Sequence, residues 1–292
     1  MRTRNSGGAV SVRFCDIFCI LLSESMRTPL PLFAAGVALW ALTIFFARSA
    51  VAQNMPVLYP EGVSRGLATL STSEGKIIAS GDMRQLVRKN GVVEAWLVFH
   101  FADGSIDSDH TLFTQNGRFH LVRDHHIQRG KSFPQAQDVL VDVPAGTVRE
   151  VVVDGKGRRV KTRHLSLPAN IANGMLTTAL KNMPPAAQEA DVTYYSDGRL
   201  VRLAIFQAGA EKVWVGPRPL RARCYRVKIK IGGIAGVVAP LIGKQPQDVL
   251  AWYLEGNPPL MLRIDSQLYN QGPVWRFQLA GPSWQPVTTS AR

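Results

Sequence analysis

Five short turn signals constrain most of what this chain can fold into. Asn90-Gly91, Asp103-Gly104, Asn116-Gly117, Asp154-Gly155 and Asp197-Gly198 each join two stretches in which apolar and polar residues alternate. Such pairs tolerate the positive φ that tight hairpin turns need. Alternation with period two sends one side chain inward and the next outward, as in half-buried strands. Strands are read at 64–71, 76–87, 92–102, 105–115, 118–125, 139–143, 148–153 and 159–165. A second set follows at 191–195, 200–207, 211–215, 223–231, 249–254, 260–266 and 274–279. Helices alternating regularly with strands, as a doubly wound sheet needs, are absent. The expected fold is mainly β. It is a curved antiparallel sheet or incomplete barrel of a dozen or more strands, because a sheet that wide curls or closes.

One stretch departs from the alternation. Residues 167–185, "LPANIANGMLTTALKNMPP", space Ile171, Met175, Leu176 and Ala179 for one helical face. Asn170 is placed to cap the start, and Pro184-Pro185 ends it. A single amphipathic helix beside a wide sheet is expected to fill its hollow. A second odd stretch, 232–246 ("GGIAGVVAPLIGKQP"), is apolar and rich in glycine. It is not a phosphate loop, since Val238 and Gln245 stand where that motif needs glycine and Ser or Thr. It reads as a buried loop or as a flap over an apolar cavity.

The beginning of the chain has the layout of a cleaved secretory signal. Arg27 precedes an apolar run over 30–46, and Ala50 and Ala52 place small residues before Gln53. The expected organisation is an extra segment at 1–25 ahead of a start at Met26, then a signal peptide at 26–52. A linker at 53–62, one half-barrel domain at 63–280 and a flexible tail at 281–292 complete it. An uncleaved membrane anchor is the alternative for 26–52. Export implies a periplasmic location. Cys15 and Cys19 precede the cleavage point, which leaves Cys224 and no internal disulfide.

The chain carries 34 basic and 21 acidic side chains, a formal net charge of +13. For an exported protein this charge favours anionic envelope components over nucleic acid. The densest run is 218–230, "RPLRARCYRVKIK", in which Arg223, Arg226 and Lys228 are the candidate headgroup contacts.

Five of the six histidines lie between His100 and His126. Two-residue turns at Asp103-Gly104 and Asn116-Gly117 would set His100 opposite Asp107 and Phe113 opposite His120. Alternation then gathers His100, Asp107, Asp109, Thr111, His120 and Asp124 on one face. His100, Asp107, His120 and Asp124 are the candidate metal ligands, a chemistry suited to zinc or manganese. A slip of one residue in either hairpin would scatter them. No Gly-x-Ser-x-Gly elbow is present, and Cys224 has no identifiable histidine partner. No catalytic residue and no cofactor is expected.

"LVFHFADGSIDSDHTLFTQ" at 97–115, followed by "RDHHIQRGKSFP" at 123–134, resembles a group of uncharacterised exported bacterial proteins. "DVLAWYLEGNPPLMLRID" at 248–265 resembles the last hairpin of exported half-barrels that are similar in outline to the Lol-type lipoprotein carriers. The resemblance covers about 63–280. It implies a sheet wrapped round a helix, with an apolar cavity that takes a lipid, an acyl chain or a lipoprotein anchor. Leu97, Phe99, Phe101, Leu112, Phe119 and Leu121, with Met175 and Leu176, would line that cavity. Three functions follow as expectations: a non-enzymatic lipid-binding protein, an envelope structural or assembly factor with a filled core, and a metal-dependent hydrolase. A cavity of several hundred Å³ favours the first, a solid core the second, and converging ligands the third.

Overall fold

The computed structural model describes residues 55–215, 217–230 and 246–280. The expected leader at 26–52 and the glycine-rich residues 232–245 lie outside them. The first eight strands are β1 (Ser64–Ser71), β2 (Ile77–Val87), β3 (Val93–Phe101), β4 (Ile106–Thr114), β5 (His120–Arg129), β6 (Ala136–Asp142), β7 (Thr147–Asp154) and β8 (Gly157–His164). A short helix follows, α1 (Leu176–Lys181). The remaining strands are β9 (Glu189–Ser196), β10 (Arg199–Val215), β11 (Arg218–Lys230), β12 (Val249–Leu254), β13 (Leu260–Gln267) and β14 (Val274–Leu279).

All fourteen strands form one antiparallel, curved and unclosed sheet in the order β8-β7-β6-β5-β4-β3-β2-β1-β14-β13-β12-β11-β10-β9. Each half is a meander in which neighbours in sequence are neighbours in space. The halves meet at β1 and β14, where Ala68 pairs with Leu279 and Leu70 with Phe277. Residues read as two strands at 200–207 and 211–215 are one long strand, with the register shifting between Gln207 and Ala210. Gly209 takes φ +101 at this irregularity, a backbone state that costs glycine little.

One sheet face carries the core. Leu70, Val93, Phe99, Phe113, Val141, Val148, Ile205, Val227 and Tyr253 are all at most 2% exposed. Each buried side chain of this size contributes about 1.5–3 kcal/mol relative to exposure. Aromatic rings dominate the centre. Phe99 meets Phe277 edge-on at 5.4 Å, and Phe101 meets Phe133 at 5.2 Å and Trp275 at 5.5 Å. On the opposite face, Val213, Ala222, Cys224, Trp252 and Leu262 form a smaller buried cluster.

The connection from β8 to β9 packs on the core face, and its helix is shorter than the sequence spacing suggests. Gly174 takes φ +66, which interrupts any helix begun before it. Residues 170–173 run along β9 instead. Ala172 N donates to Thr193 O at 2.9 Å, and Thr193 N donates to Asn170 O at 3.1 Å. Asn173 extends the ladder with its side chain: its Oδ1 accepts from Tyr195 N, and its Nδ2 donates to Tyr195 O. Asn170 therefore caps no helix; its Oδ1 accepts from the Thr193 hydroxyl at 3.0 Å. Ile171, Met175, Ala179 and Leu180 are buried in the main core. Tyr253 on β12 donates its hydroxyl to Thr177 O at 2.8 Å, which ties α1 to the far half of the sheet.

Both turn registers in the histidine stretch differ from the two-residue reading. Phe101 N donates to Ser105 O, so three residues form the first loop. Asp103 Oδ1 accepts from Ser105 N at 2.9 Å, and Gly104 takes φ +82, the chemistry of a three-residue turn with a left-handed third position. In the second loop, the arm at 55–61 intervenes. Val57 N donates to Gly117 O, Phe119 N donates to Met55 O, and the Gln115 amide exchanges hydrogen bonds with the Glu61 backbone. Thr114 then pairs with His120, and the register shifts between Leu112 and Phe113. No helix among the described residues is long and apolar enough to cross a membrane.

Candidate functional site

The register change decides what faces inward. Phe99, not His100, stands opposite Asp107. Asp107, Asp109 and Thr111 of β4 therefore share the core face with Phe99 and Phe101. Across the ladder on β5 stand Gln128, His126 and Asp124, paired with them in that order. Three successive inward pairs thus make a polar island in an otherwise apolar face.

The island is hydrogen-bonded throughout. Gln128 Nε2 donates to Asp107 Oδ2 at 2.6 Å and to Leu268 O at 3.1 Å. His126 Nδ1 lies 2.9 Å from Asp109 Oδ1, and its Nε2 lies 4.0 Å from Asp107 Oδ2. The Thr111 hydroxyl donates to Asp124 Oδ1 at 2.8 Å. Asp107, Thr111, Asp124 and Gln128 form a floor at most 3% exposed. His126 and Asp109 form the rim, with side chains 25% and 26% exposed. Gly174 rests on the floor: a Cβ there would fall 2.0 Å from Thr111 Oγ1 and 2.3 Å from Asp124 Oδ1.

Burial governs the charge states. It pushes the Asp107 carboxyl up to about 6, with Asp109 adding to the rise and His126 and Gln128 opposing it. It pushes Asp124 up to about 8, again with Asp109 adding. Burial alone would lower His126, but Asp109, by charge and hydrogen bond, and then Asp107 and Asp124 outweigh it, and the imidazole rises to about 10. The Tyr194 hydroxyl on β9 is driven well above its usual range by burial and by the same three aspartates. Charge in a low-dielectric interior is tolerated only when paired or discharged by protons. Here the His126 imidazole meets Asp109, and burial disfavours negative charge on Asp107 and Asp124.

The expected ligand set is not assembled. His100 pairs with Ile106 and is exposed, and His120 pairs with Thr114. Neither joins Asp107 or Asp124. His110 stacks on Trp96 at 4.9 Å on the other face and meets Glu94 Oε1 at 2.8 Å. His125 meets Asp138 at 3.0 Å. His126 takes the inward place because β5 continues to Arg129, four residues beyond its expected end. Asp124 is among the expected ligands, and the adjacent pair His125-His126 offers a further candidate whose two side chains point to opposite faces; Gln128 was missed, although it keeps the period of two from Asp124 and His126 past His125.

Of the expected cavity residues, Phe99, Phe101, Phe119, Leu121 and Met175 are buried in the main core. Leu97 and Leu176 pack partly buried against it. Leu112 does not belong to the set. It pairs with Glu94, on the opposite face from Phe99. Phe119 and Met175 do touch an interior void, together with Met55, Ile171 and Val192, but its volume is about 20 Å³. A larger hollow of about 560 Å³ is open to solvent and lined by Arg65, Asp82 and Arg84 among others. The three candidate headgroup contacts do not share a surface. Arg223 faces with Tyr225 and bonds Glu255 at 3.3 Å, whereas Arg226 and Lys228 face the other way. Arg226 lies 3.9 Å from Asp248, and Lys228 lies over the Phe206 ring.

No family model matches the chain, and no curated protein matches it. Among solved structures it is similar to a β-barrel-like protein of domain of unknown function DUF1849 from Brucella abortus. Identity there is 9% and the TM-score 0.39, over 77% of this chain and 98% of that one. It is also similar to MucB in complex with MucA(peri), at 8% identity and a TM-score of 0.17, over 75% of this chain and 87% of that one. Neither likeness is close enough to bear on function, and the likeness to Lol-type carriers is not shown by them.

Proposed function

We propose that this chain is an exported, non-enzymatic envelope protein that acts through its surface around a filled core, as a structural or assembly factor. One observation carries the reading. Two aromatic residues expected to line a lipid cavity pack against other rings instead, Phe99 on Phe277 and Phe101 on Phe133 and Trp275. The void of about 20 Å³ beside α1 has room for about one water. A pocket for an acyl chain needs roughly 300 Å³ or more. In this reading residues 63–280 are one domain, the sheet curves over α1, and the helix serves as a plug. Export rests on the signal layout at 26–52.

The surface best suited to an anionic envelope partner is the edge strand β8. It is exposed along nearly its whole length and carries Arg158, Arg159, Lys161 and Arg163, of which Arg159 is paired with Asp154 and Arg163 with Glu150. Basic side chains on a free edge also oppose unwanted strand pairing. Native mass spectrometry of the full chain, purified from an envelope fraction without detergent, tests the reading together with organic extraction. A chain free of lipid is expected. A stoichiometric lipid overturns the filled-core reading and restores the carrier.

A further inference from the structure

The polar island has more acid than its surroundings can neutralise. Three carboxylates, Asp107, Asp109 and Asp124, face inward from two adjacent strands. Among the contacts described for them, the basic group is the His126 imidazole. Asp124 is met by the Thr111 hydroxyl and Asp107 by the Gln128 amide. A sheet core gains nothing from such a set unless something cationic joins it, because each buried carboxylate costs desolvation free energy that uncharged partners offset only in part.

The donor set and its placement fit a metal ion. Asp107, Asp109 and His126 each offer a ligand atom within 4.8 Å of the others. Two of them, Asp109 and His126, are a directly opposed cross-strand pair, and Asp107 sits one inward position along β4. Imidazole nitrogen combined with carboxylate oxygen is chemistry for Zn²⁺ or Mn²⁺, not for the all-oxygen shells of Ca²⁺ and Mg²⁺. Zn²⁺ bonds of about 2.0–2.2 Å would need the three groups to close by roughly an ångström. The second shell is already built. Gln128 holds Asp107, as outer groups hold ligands in metal sites. An entry path exists as well, because Asp109 and His126 are each about a quarter exposed while Asp107 lies beneath them.

We infer that Asp107, Asp109 and His126 form a divalent transition-metal site of the Zn²⁺ class. The ion is a structural clasp that joins β4 to β5, one inward pair along from the Thr111–Asp124 pair on which Gly174 rests. The inference stands apart from the envelope reading; a metal-binding chain can still have a filled core and no lipid.

The full chain is stripped with chelator, dialysed, and titrated with Zn²⁺ and separately with Mn²⁺, with bound metal counted by elemental analysis. Asp109→Asn, His126→Gln and His125→Gln are carried through the same steps, with circular dichroism as a check of folding. One equivalent of metal is expected in the wild type. Affinity should fall at least tenfold in Asp109→Asn and His126→Gln and stay unchanged in His125→Gln, whose side chain faces Asp138 on the outside. Asp109→Asn changes a rim residue and keeps its shape, so it reads the site even if His126→Gln fails to fold. Absence of stoichiometric binding overturns the inference. So does binding undiminished in Asp109→Asn, or lost equally in His125→Gln, since either outcome assigns the metal to surface histidines. Lipid extraction of the same samples reads the envelope proposal separately.

Discussion

Gly81 and Phe99 pair directly across β2 and β3, and the Phe99 ring occupies the space a side chain at Gly81 would need. A Cβ there would lie 2.7 Å from Phe99 Cε1 and 3.2 Å from Ala68 Cβ. The ring has nowhere to go, since Phe99 is 2% exposed and packs edge-on against Phe277. Gly81→Ala is therefore expected to destabilise the fold by about 1–3 kcal/mol through overpacking. Denaturant unfolding measures it. The double variant with Phe99→Leu should lose less than the two single losses combined, because the smaller side chain releases the clash.

Gly174 faces a harder restriction. Its φ of +66 already disfavours alanine, and a Cβ would overlap Thr111 Oγ1 and Asp124 Oδ1. Gly174→Ala should cost about 2–5 kcal/mol, combining a left-handed backbone with overpacking. Gly91 has φ +79 with nothing near its Cβ position. Gly91→Ala should cost only about 1 kcal/mol, the backbone share alone. Parallel unfolding curves separate strain from contact.

Acid stability should depend on Glu94. Its burial raises the carboxyl pKa, but hydrogen bonds and charge from Arg88 and His110 outweigh that and hold it below the ordinary 4.5. A carboxylate depressed in the folded state stabilises above its unfolded pKa and loses that contribution as pH falls through the folded value. Wild-type stability should thus decline as pH drops below about 4.5. In Glu94→Gln this part of the slope should vanish, and the variant should be weaker at neutral pH. Equal slopes in the two proteins would contradict the assignment.

Cys224 should be nearly inert in the folded protein. Burial first, and then Glu211, push its thiol up to about 11. At pH 8 the thiolate fraction is then at least about a hundredfold below that of a free cysteine. Alkylation with iodoacetamide, read at the Cys224 peptide, should be slow in buffer and complete in denaturant. Rapid labelling of the native chain would show that the β11 face opens.

Much of the architecture was legible from local pattern. The bounds of β1, β12 and β14 agree with the alternation, since each is a short run closed by turns. What failed was register, and it failed for non-local or side-chain reasons. The Asp103 side chain adds a residue to the first turn, and the arm at 55–61 opens the second. A shift of one residue exchanges the two faces, so Asp107 and Asp124 moved inward while His100 and His120 did not follow. The helix was overextended because the apolar spacing of Ile171 and Met175 suits a helix and a packed extended segment alike. Only the position of Gly174 over Thr111 separates the two.

The ladder between β1 and β14 sets how the molecule bears load. It joins the first strand to the last, while every other ladder among the fourteen strands joins neighbours in sequence. The pairing is antiparallel, with Ala68 beside Leu279, so the start of β1 and the end of β14 lie at the same end of the sheet. Tension applied at Ser64 and Leu279 draws these two strands apart one pair at a time, like a zipper. The two meanders feel the force only after that seam has opened. Under that load the molecule parts along its own midline before either half yields.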